Sequence, residues 1–362
     1  MRLRVAAAIV EGVLVEGDVD VADGRIAGVG LAGEGSGTAV PGFVDLQVNG
    51  FAGVNFAAAD AAAYRRAGEA LLATGVTAFQ PTLITAFEDE LLAALSEVPA
   101  EPVGARILGV HLEGPFLSPQ RPGTHPPEAI RDPDRALLER LLDAGPVTYV
   151  TLAPERPGAL ELIDVLHARG VTVSFGHSDA TAAEARSGFD RGVRTVTHLF
   201  NAMRPLAHRD PGIAGAALAR GDVIVQLIVD GHHLADETVL LAWRAARGRF
   251  GVVTDAMAAA GVGDGVFRLG AVDVEVRDGV ARRGDGVLAG SVVTIPQSLR
   301  NLVALGVPLV DAVGAVTSVP ARVLGDEMLG VLRVGGPADV VVLDDDLEIR
   351  TVLVAGREEV AA

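Results

Sequence analysis

At 362 residues, 49% of them hydrophobic, the chain can form one large barrel domain or two smaller domains, and no apolar run is long enough to span a bilayer. It has no cysteine, and all 30 basic residues are arginine, so disulfides, thiolate nucleophiles, zinc–thiolate sites, Schiff-base lysines, a P-loop lysine and a carboxylated lysine bridging two metals are excluded. A formal net charge of −17 repels nucleic acid and anionic membranes, so neither is an expected partner and an anionic substrate needs a local basic site.

The chain starts "MRLRVAAAIVEGVLVEGDVD", where Glu11 and Glu16 interrupt the apolar run and no small-residue cleavage site stands out. A secretory leader is not expected, and the expected location is the cytoplasm. Residues 1–40 read as short alternating strands with an Asp-Gly turn, and residues 330–362 show the same pattern. The two ends are expected to pair as a small β-sandwich domain. Residues 41–329 form the remainder, with a β-hairpin insertion expected over 267–290.

Apolar runs rich in Val, Ile, Leu and Phe recur through this central part, as buried parallel strands require. They are "FVDLQVNG" (43–50), "VTAFQPTL" (76–83), "RILGVHLEG" (106–114), "VTYVTLAPE" (147–155), "VTVSFGHS" (171–178), "RTVTHLFN" (194–201), "VIVQLIVD" (223–230) and "RFGVVTDA" (249–256). Helical segments such as "AAAYRRAGEALLATG", "DRALLERLLDAG" and "ALELIDVLHARG" lie between them, each ending at a glycine. Eight strand-then-helix units in series predict a (β/α)8 TIM barrel. The C-terminal ends of these strands turn polar, at Gln47, Asn49, Gln80, Glu113, Glu155, His177, His198, Asp230 and Asp255. Active sites of this fold sit at that end, and a purely structural barrel has no need to gather carboxylates and imidazoles there.

Glu113, His177 and His198, at the tips of strands three, five and six, make a donor set suited to a divalent cation such as Zn²⁺, with Fe, Mn, Co and Ni also compatible. Any one of them alone reads better as a satisfied core residue or a helix cap; three at equivalent positions reverse that balance. His111, two residues before Glu113, faces the same way but deeper and is taken either as a support behind the ligands or as structural. Asp255 is the expected general base, with a helix N-cap as its bland alternative. His125, in "RPGTHPP", is either a surface loop histidine or a donor to a carbonyl oxygen. Arg209 and the His232–His233 pair offer anion recognition. His167 reads as a surface residue, and His208 is given no role.

In order, "PGFVDLQVNG", "GVTAFQPTLIT", "HLEGPF", "GTH", "TLAPE", "GHSDAT", "THLFNAM", "DGHH", "TDAM" and "LAGS" cover essentially the whole chain. This set resembles the N-acetylglucosamine-6-phosphate deacetylases of the amidohydrolase superfamily. The resemblance implies hydrolysis of the acetamide of N-acetyl-D-glucosamine 6-phosphate to D-glucosamine 6-phosphate and acetate. It implies Glu113, His177 and His198 as ligands of one metal per subunit, Asp255 as the group that activates the metal-bound water and then protonates the amine, and His125 on the carbonyl. It further implies Asn201 and Ala202 on the phosphate through the backbone, and a homodimer in which Arg209 and His233 complete the neighbouring active site.

In much of that superfamily the first strand carries Asp-x-His-x-His, whereas this chain has Asp45, Gln47 and Asn49 on one strand face. Neutral amides are poor ligands beside imidazole, so a single metal is expected, with Gln47 fixing the metal-bound water. Other amidohydrolases remain as alternatives, among them dihydroorotase, D-aminoacylase and the galactosamine-6-phosphate deacetylase, which differs only at the C4 hydroxyl. The missing lysine weighs against members that need a carboxylated lysine. A non-catalytic barrel is the alternative from another class, and the presence of all four of Glu113, His177, His198 and Asp255 weighs against it.

Overall fold

The computed structural model describes residues 1–361. Eight parallel strands follow one another around a barrel: β1 (Phe43–Val48), β2 (Val76–Ile84), β3 (Val110–Glu113), β4 (Val147–Leu152), β5 (Thr172–Phe175), β6 (Thr195–Val196), β7 (Ile224–Leu227) and β8 (Phe250–Val252). The ring closes through a parallel bridge between Val48 and Ala256, where the Asn49 N–H donates to the Ala256 carbonyl at 2.7 Å. Asp45 reinforces this seam by accepting from the Thr254 hydroxyl at 2.5 Å and the Thr254 N–H at 3.2 Å. The TIM barrel expected from the strand pattern is therefore the observed fold.

The outer helices start and stop for local reasons. In α1 (Ala61–Ala73) the Asp60 carboxylate caps the Ala63 N–H at 2.8 Å, and in α2 (Arg135–Ala144) Asp134 caps Ala136 and Leu137. Gly75 after α1 and Gly170 after α3 (Ala159–Ala168) take φ of +79° and +70°, the left-handed stop that the glycines foretell. Gly145 after α2 instead turns extended, at φ −169°. Helix α2 buries Leu137, Leu138, Leu141 and Leu142 on one face, each worth about 1.5–3 kcal/mol before ordering entropy is set against it.

Several expected strands are shorter than their apolar runs. β6 holds two residues rather than 194–201, because His198, Phe200 and Ala202 take φ of +29°, +77° and +48°. β5 and β8 likewise end before His177 (φ +46°) and Asp255 (φ +51°). Gln80 is not at the mouth: it lies mid-strand in β2 and donates to the Thr148 hydroxyl at 2.8 Å. The segment expected as a hairpin is a three-stranded antiparallel sheet, Gly265–Leu269, Val272–Arg277 and Val280–Arg283.

Strands from both chain ends form one six-stranded sheet, in the order 13–16, 7–10, 38–41, 340–343, 349–354 and 357–361. A two-stranded sheet, Asp18–Ala22 with Arg25–Leu31, packs on it, and Val19, Val21 and Ile26 share a core with Ala39, Val340, Val342 and Leu353.

Below the mouth the barrel interior is polar but paired. Thr151, Ser174 and Thr197 exchange hydroxyl hydrogen bonds of 2.6–2.8 Å, and Gln226 donates to Tyr149 and Thr195. His111 sits in this plug, 2.7 Å from Thr151 and edge-on to Tyr149, and burial lowers its pKa to about 4. It stays neutral at physiological pH, in the deep structural place expected of it.

Candidate active site

Glu113 ends β3, while His177 and His198 stand two residues beyond β5 and β6. The left-handed backbone at both histidines turns their rings back over the barrel axis, a conformation uncommon for residues other than glycine. All three side chains are buried, and three atoms converge: Glu113 Oε1 lies 3.0 Å from His177 Nε2 and 2.8 Å from His198 Nε2, and the two nitrogens are 3.1 Å apart.

The tautomer of His177 follows from its partners. Its Nδ1 faces the Arg121 carbonyl at 3.1 Å, which can only accept, so Nδ1 carries a proton. Burial, then His125, lower its pKa to about 4, so the ring is neutral at pH 7 and Nε2 is a bare lone pair. A lone pair 3.0 Å from a carboxylate oxygen calls for a positive centre between them. Ligands at tetrahedral angles around zinc lie about 3.3 Å apart, close to the observed triangle. Burial would raise Glu113, but the imidazoles of His125, His177 and His198 gathered around it outweigh that and hold the carboxyl well below its usual range. His198 is shifted the other way from His177: burial lowers it, but Glu113 more than offsets that. The donor set, two imidazoles on one ionised carboxylate, fits a divalent cation.

His125 is fully buried beside this triad, its Nε2 3.7 Å from Glu113 Oε2. Its Nδ1 accepts from the Thr85 N–H at 3.2 Å, which leaves the proton of the neutral ring on Nε2. That proximity makes it a fourth metal-type group, but a ring that presents N–H to the site is a donor rather than a ligand. The bland loop reading of His125 is thereby removed.

Asp255 lines the same cavity, and its Oδ1 accepts from Gln47 Nε2 at 3.0 Å and Asn49 Nδ2 at 2.7 Å. Burial, then the Glu113 charge, raise its pKa to about 7, a value suited to taking and returning a proton near neutrality. The amide oxygens Gln47 Oε1 and Asn49 Oδ1 are buried without hydrogen-bond partners.

The cavity holds about 370 Å³ and is lined on one side by Gln120–His125. Gly123 permits this loop to lie close: its φ is +56°, and a Cβ there would stand 3.0 Å from His177 Cε1. Leu269, Val287 and Leu288, from the inserted sheet and the chain that follows it, supply an apolar roof. Asn201 and Ala202 also line the cavity, but the Asn201 N–H already donates to the His198 carbonyl at 3.0 Å. Of those two amides, Ala202 has the one without a partner among the described residues.

His233 departs from expectation. It lies in its own chain's cavity, held there by Asp230, whose carboxylate accepts from the His233 ring at 2.7 Å and from two backbone N–H groups of the same turn. That places it at its own chain's site, where the resemblance implies a neighbour's. Arg209 is exposed, stands outside the cavity lining and pairs with no carboxylate among the described residues. His232, His167 and His208 are exposed. Sequence reasoning missed Arg121 and Asn49 as working parts of the site; the position of Asn49 was legible, but the carboxylate it serves was not.

Residues 38–358 match the Amidohydrolase family. An N-acetylgalactosamine-6-phosphate deacetylase of Escherichia coli O157:H7 is 36% identical over 365 residues, covering 96% of each chain. The human N-acetylglucosamine-6-phosphate deacetylase is 38% identical, over 87% of this chain and 82% of its own. A mutant N-acetyl-D-glucosamine-6-phosphate deacetylase from Mycobacterium smegmatis, solved with N-acetyl-D-glucosamine 6-phosphate, superposes with a TM-score of 0.95 at 40% identity, covering 100% of this chain and 99% of its own. The chain belongs to the amidohydrolase family and, within it, to the N-acetylglucosamine-6-phosphate deacetylase group.

Proposed function

We propose that this protein hydrolyses the acetamide of N-acetyl-D-glucosamine 6-phosphate to D-glucosamine 6-phosphate and acetate. The observation that carries the reading is the convergence of Glu113, His177 and His198 beside Asp255 and the Nε2–H of His125 in one buried cavity. Bound by those three ligands, a divalent cation, zinc in this reading, supplies Lewis-acid polarisation of the amide carbonyl and lowers the pKa of water.

The chain's own groups do the rest. Asp255, ionised, takes a proton from water as its oxygen bonds to the acetyl carbon. His125 donates its Nε2–H to the carbonyl oxygen as negative charge grows there. Asp255 then returns the proton to the sugar nitrogen as the C–N bond breaks, giving amine and acetic acid. The acid's remaining proton passes to the amine, so ammonium and acetate leave with atoms and charge balanced. Gln47 and Asn49 orient Asp255, and the unpartnered Gln47 Oε1 is available to accept from the attacking water. The Ala202 N–H, the Asn201 side and His233 are assigned to the phosphorylated sugar, with Arg209 reaching the cavity of a second copy in a homodimer. The exposed, unpaired state of Arg209 supports that last assignment. Phosphorylated sugars are retained inside cells, which supports a cytoplasmic location, and no helix is long and apolar enough to cross a membrane among the described residues.

Acetate release from N-acetylglucosamine 6-phosphate with added Zn²⁺ tests this. Asp255→Asn is expected to lower kcat by roughly 10²–10⁴-fold. Equal rates in variant and wild type, or none in either, would remove the mechanism. Unphosphorylated N-acetylglucosamine is expected to be a poor substrate, and equal turnover of it would cancel the phosphate assignments. The galacto epimer is a second reading, favoured by the 96% mutual coverage of the E. coli relative, and a higher kcat/KM on N-acetylgalactosamine 6-phosphate would select it.

A further inference from the structure

The three ligands come from three separate strand ends, and the chain following each ligand meets the others at a single carboxylate. Asp179, two residues beyond His177, accepts on Oδ1 from Arg121 Nε at 2.8 Å and lies 2.7 Å from Arg121 Nη2, on the loop that follows Glu113. Its Oδ2 and its carbonyl each accept from Arg204 Nη1 at 3.2 Å, on the segment that follows His198. Arg204 continues to Asp210 at 2.7 Å. Glu155, beyond β4, braces the same turn by accepting from the Asp179 N–H and the Ser178 hydroxyl, each at 2.7 Å.

One consequence reaches the metal site directly. Fixing the Arg121 side chain fixes its backbone, and the Arg121 carbonyl is the acceptor that holds the proton of His177 on Nδ1. We propose that Asp179 is a positioning residue for the metal site: through Arg121 and Arg204 it staples the loops after β3, β5 and β6, keeping His177 in the tautomer and His198 in the register that a divalent cation needs. A flat guanidinium fork on a carboxylate gives that restraint direction as well as strength. The staple also holds the left-handed backbone at His177 and His198, which is otherwise unfavourable.

Its place on the rim separates positioning from stability. Arg121 and Asp179 side chains are 33% and 29% exposed, so the pair adds little to global folding free energy. Groups that orient metal ligands from behind, in contrast, typically change metal affinity by roughly 10–100-fold. The inference rests on the metal-site reading given above, and the test separates the two.

Zn²⁺ affinity of the purified, metal-free, full-length protein is measured by chelator competition, alongside melting of the metal-free protein. Asp179→Ala is expected to weaken Zn²⁺ binding by roughly 10–100-fold while the metal-free melting temperature stays within about 2 °C of wild type. Asp179→Asn keeps the side-chain acceptor for Arg121 and the backbone carbonyl for Arg204 while losing the charge and the Oδ2 acceptor, and is expected to stay within about threefold of wild type. Arg220→Ala, which breaks ion pairs to Asp190 and Asp222 away from the site, is expected to leave affinity unchanged. Wild-type affinity in Asp179→Ala overturns the proposal. So does an equal loss in Asp179→Asn, which would make the effect one of charge, or a loss matched by a lower metal-free melting temperature, which would make it one of folding. Failure of the wild type to take up Zn²⁺ would instead overturn the metal site itself and the staple with it.

Discussion

Asp255 has two amide donors on a single oxygen, and this small arrangement sets a measurable pH dependence. Burial and Glu113 push its pKa up, while His198, His233 and then the Asn49 hydrogen bond at 2.7 Å favour the charged form and pull it down, with about 7 as the balance. A base must be ionised to work, so kcat/KM is expected to fall as pH drops through an acidic limb, and a bound cation moves that limb lower. Asn49→Ala removes one donor from the carboxylate and disfavours the charged form. The limb should therefore move to higher pH, by about one unit for a hydrogen bond to a charged group. Rate profiles of both proteins at equal metal loading check this, and a limb that stays put or moves down would contradict the assignment. Which residues carry the chemistry was legible because each follows an apolar run. What Gln47 and Asn49 do instead of binding metal was not, since Asp255 lies 206 positions beyond Asn49 and joins it only when the barrel closes.

At the scale of elements, apolar runs located every barrel strand, yet their ends and the roof escaped. Hydrophobicity continues past β6 into "THLFNAM", but the backbone there turns left-handed to aim His198, and no residue type announces that. The expected hairpin gained a third strand because Gly265–Leu269, which is fully buried only at Leu269 and carries Arg268 among its apolar residues, shows no clear burial pattern in the sequence. This sheet packs on Ile84 and Met257 through Leu269, Val274 and Val276, and a hydrogen-bonded latch adds to that packing: Asn55 Nδ2 donates to the Gly270 carbonyl at 2.9 Å, and the Gly270 N–H donates back at 3.3 Å. Leu269, next to the latch, lines the cavity. Asn55→Ala loses both bonds, about 1–3 kcal/mol held locally. Amide exchange over 265–283 should speed by roughly tenfold, with a several-fold rise in KM, while global melting falls by only a degree or two. Unchanged exchange in that segment would mean the roof is held by packing alone.

The whole molecule is held together by a sheet buried on both faces. Along 340–343, Val341 and Leu343 pack into the barrel core, while Val340 and Val342 face the smaller sandwich core. The same alternation places Val352 in one core and Leu353 in the other, and separates Val40 from Ala39. Continuous apolar runs such as "ADVVVLD" pointed to a strand, but one sequence cannot show that two different cores claim its two faces. The chain passes from this sheet at Pro41 directly into β1 at Phe43, so loosening one core disturbs the register of the other. Two independently melting units are therefore not expected. Leu353→Ala, on the sandwich side and fully buried, should cost about 2–5 kcal/mol and lower one shared calorimetric transition, with loss of activity following the same curve. A calorimetric trace in which the variant splits into an early sandwich transition and an unmoved barrel transition would show that the sheet does not couple them.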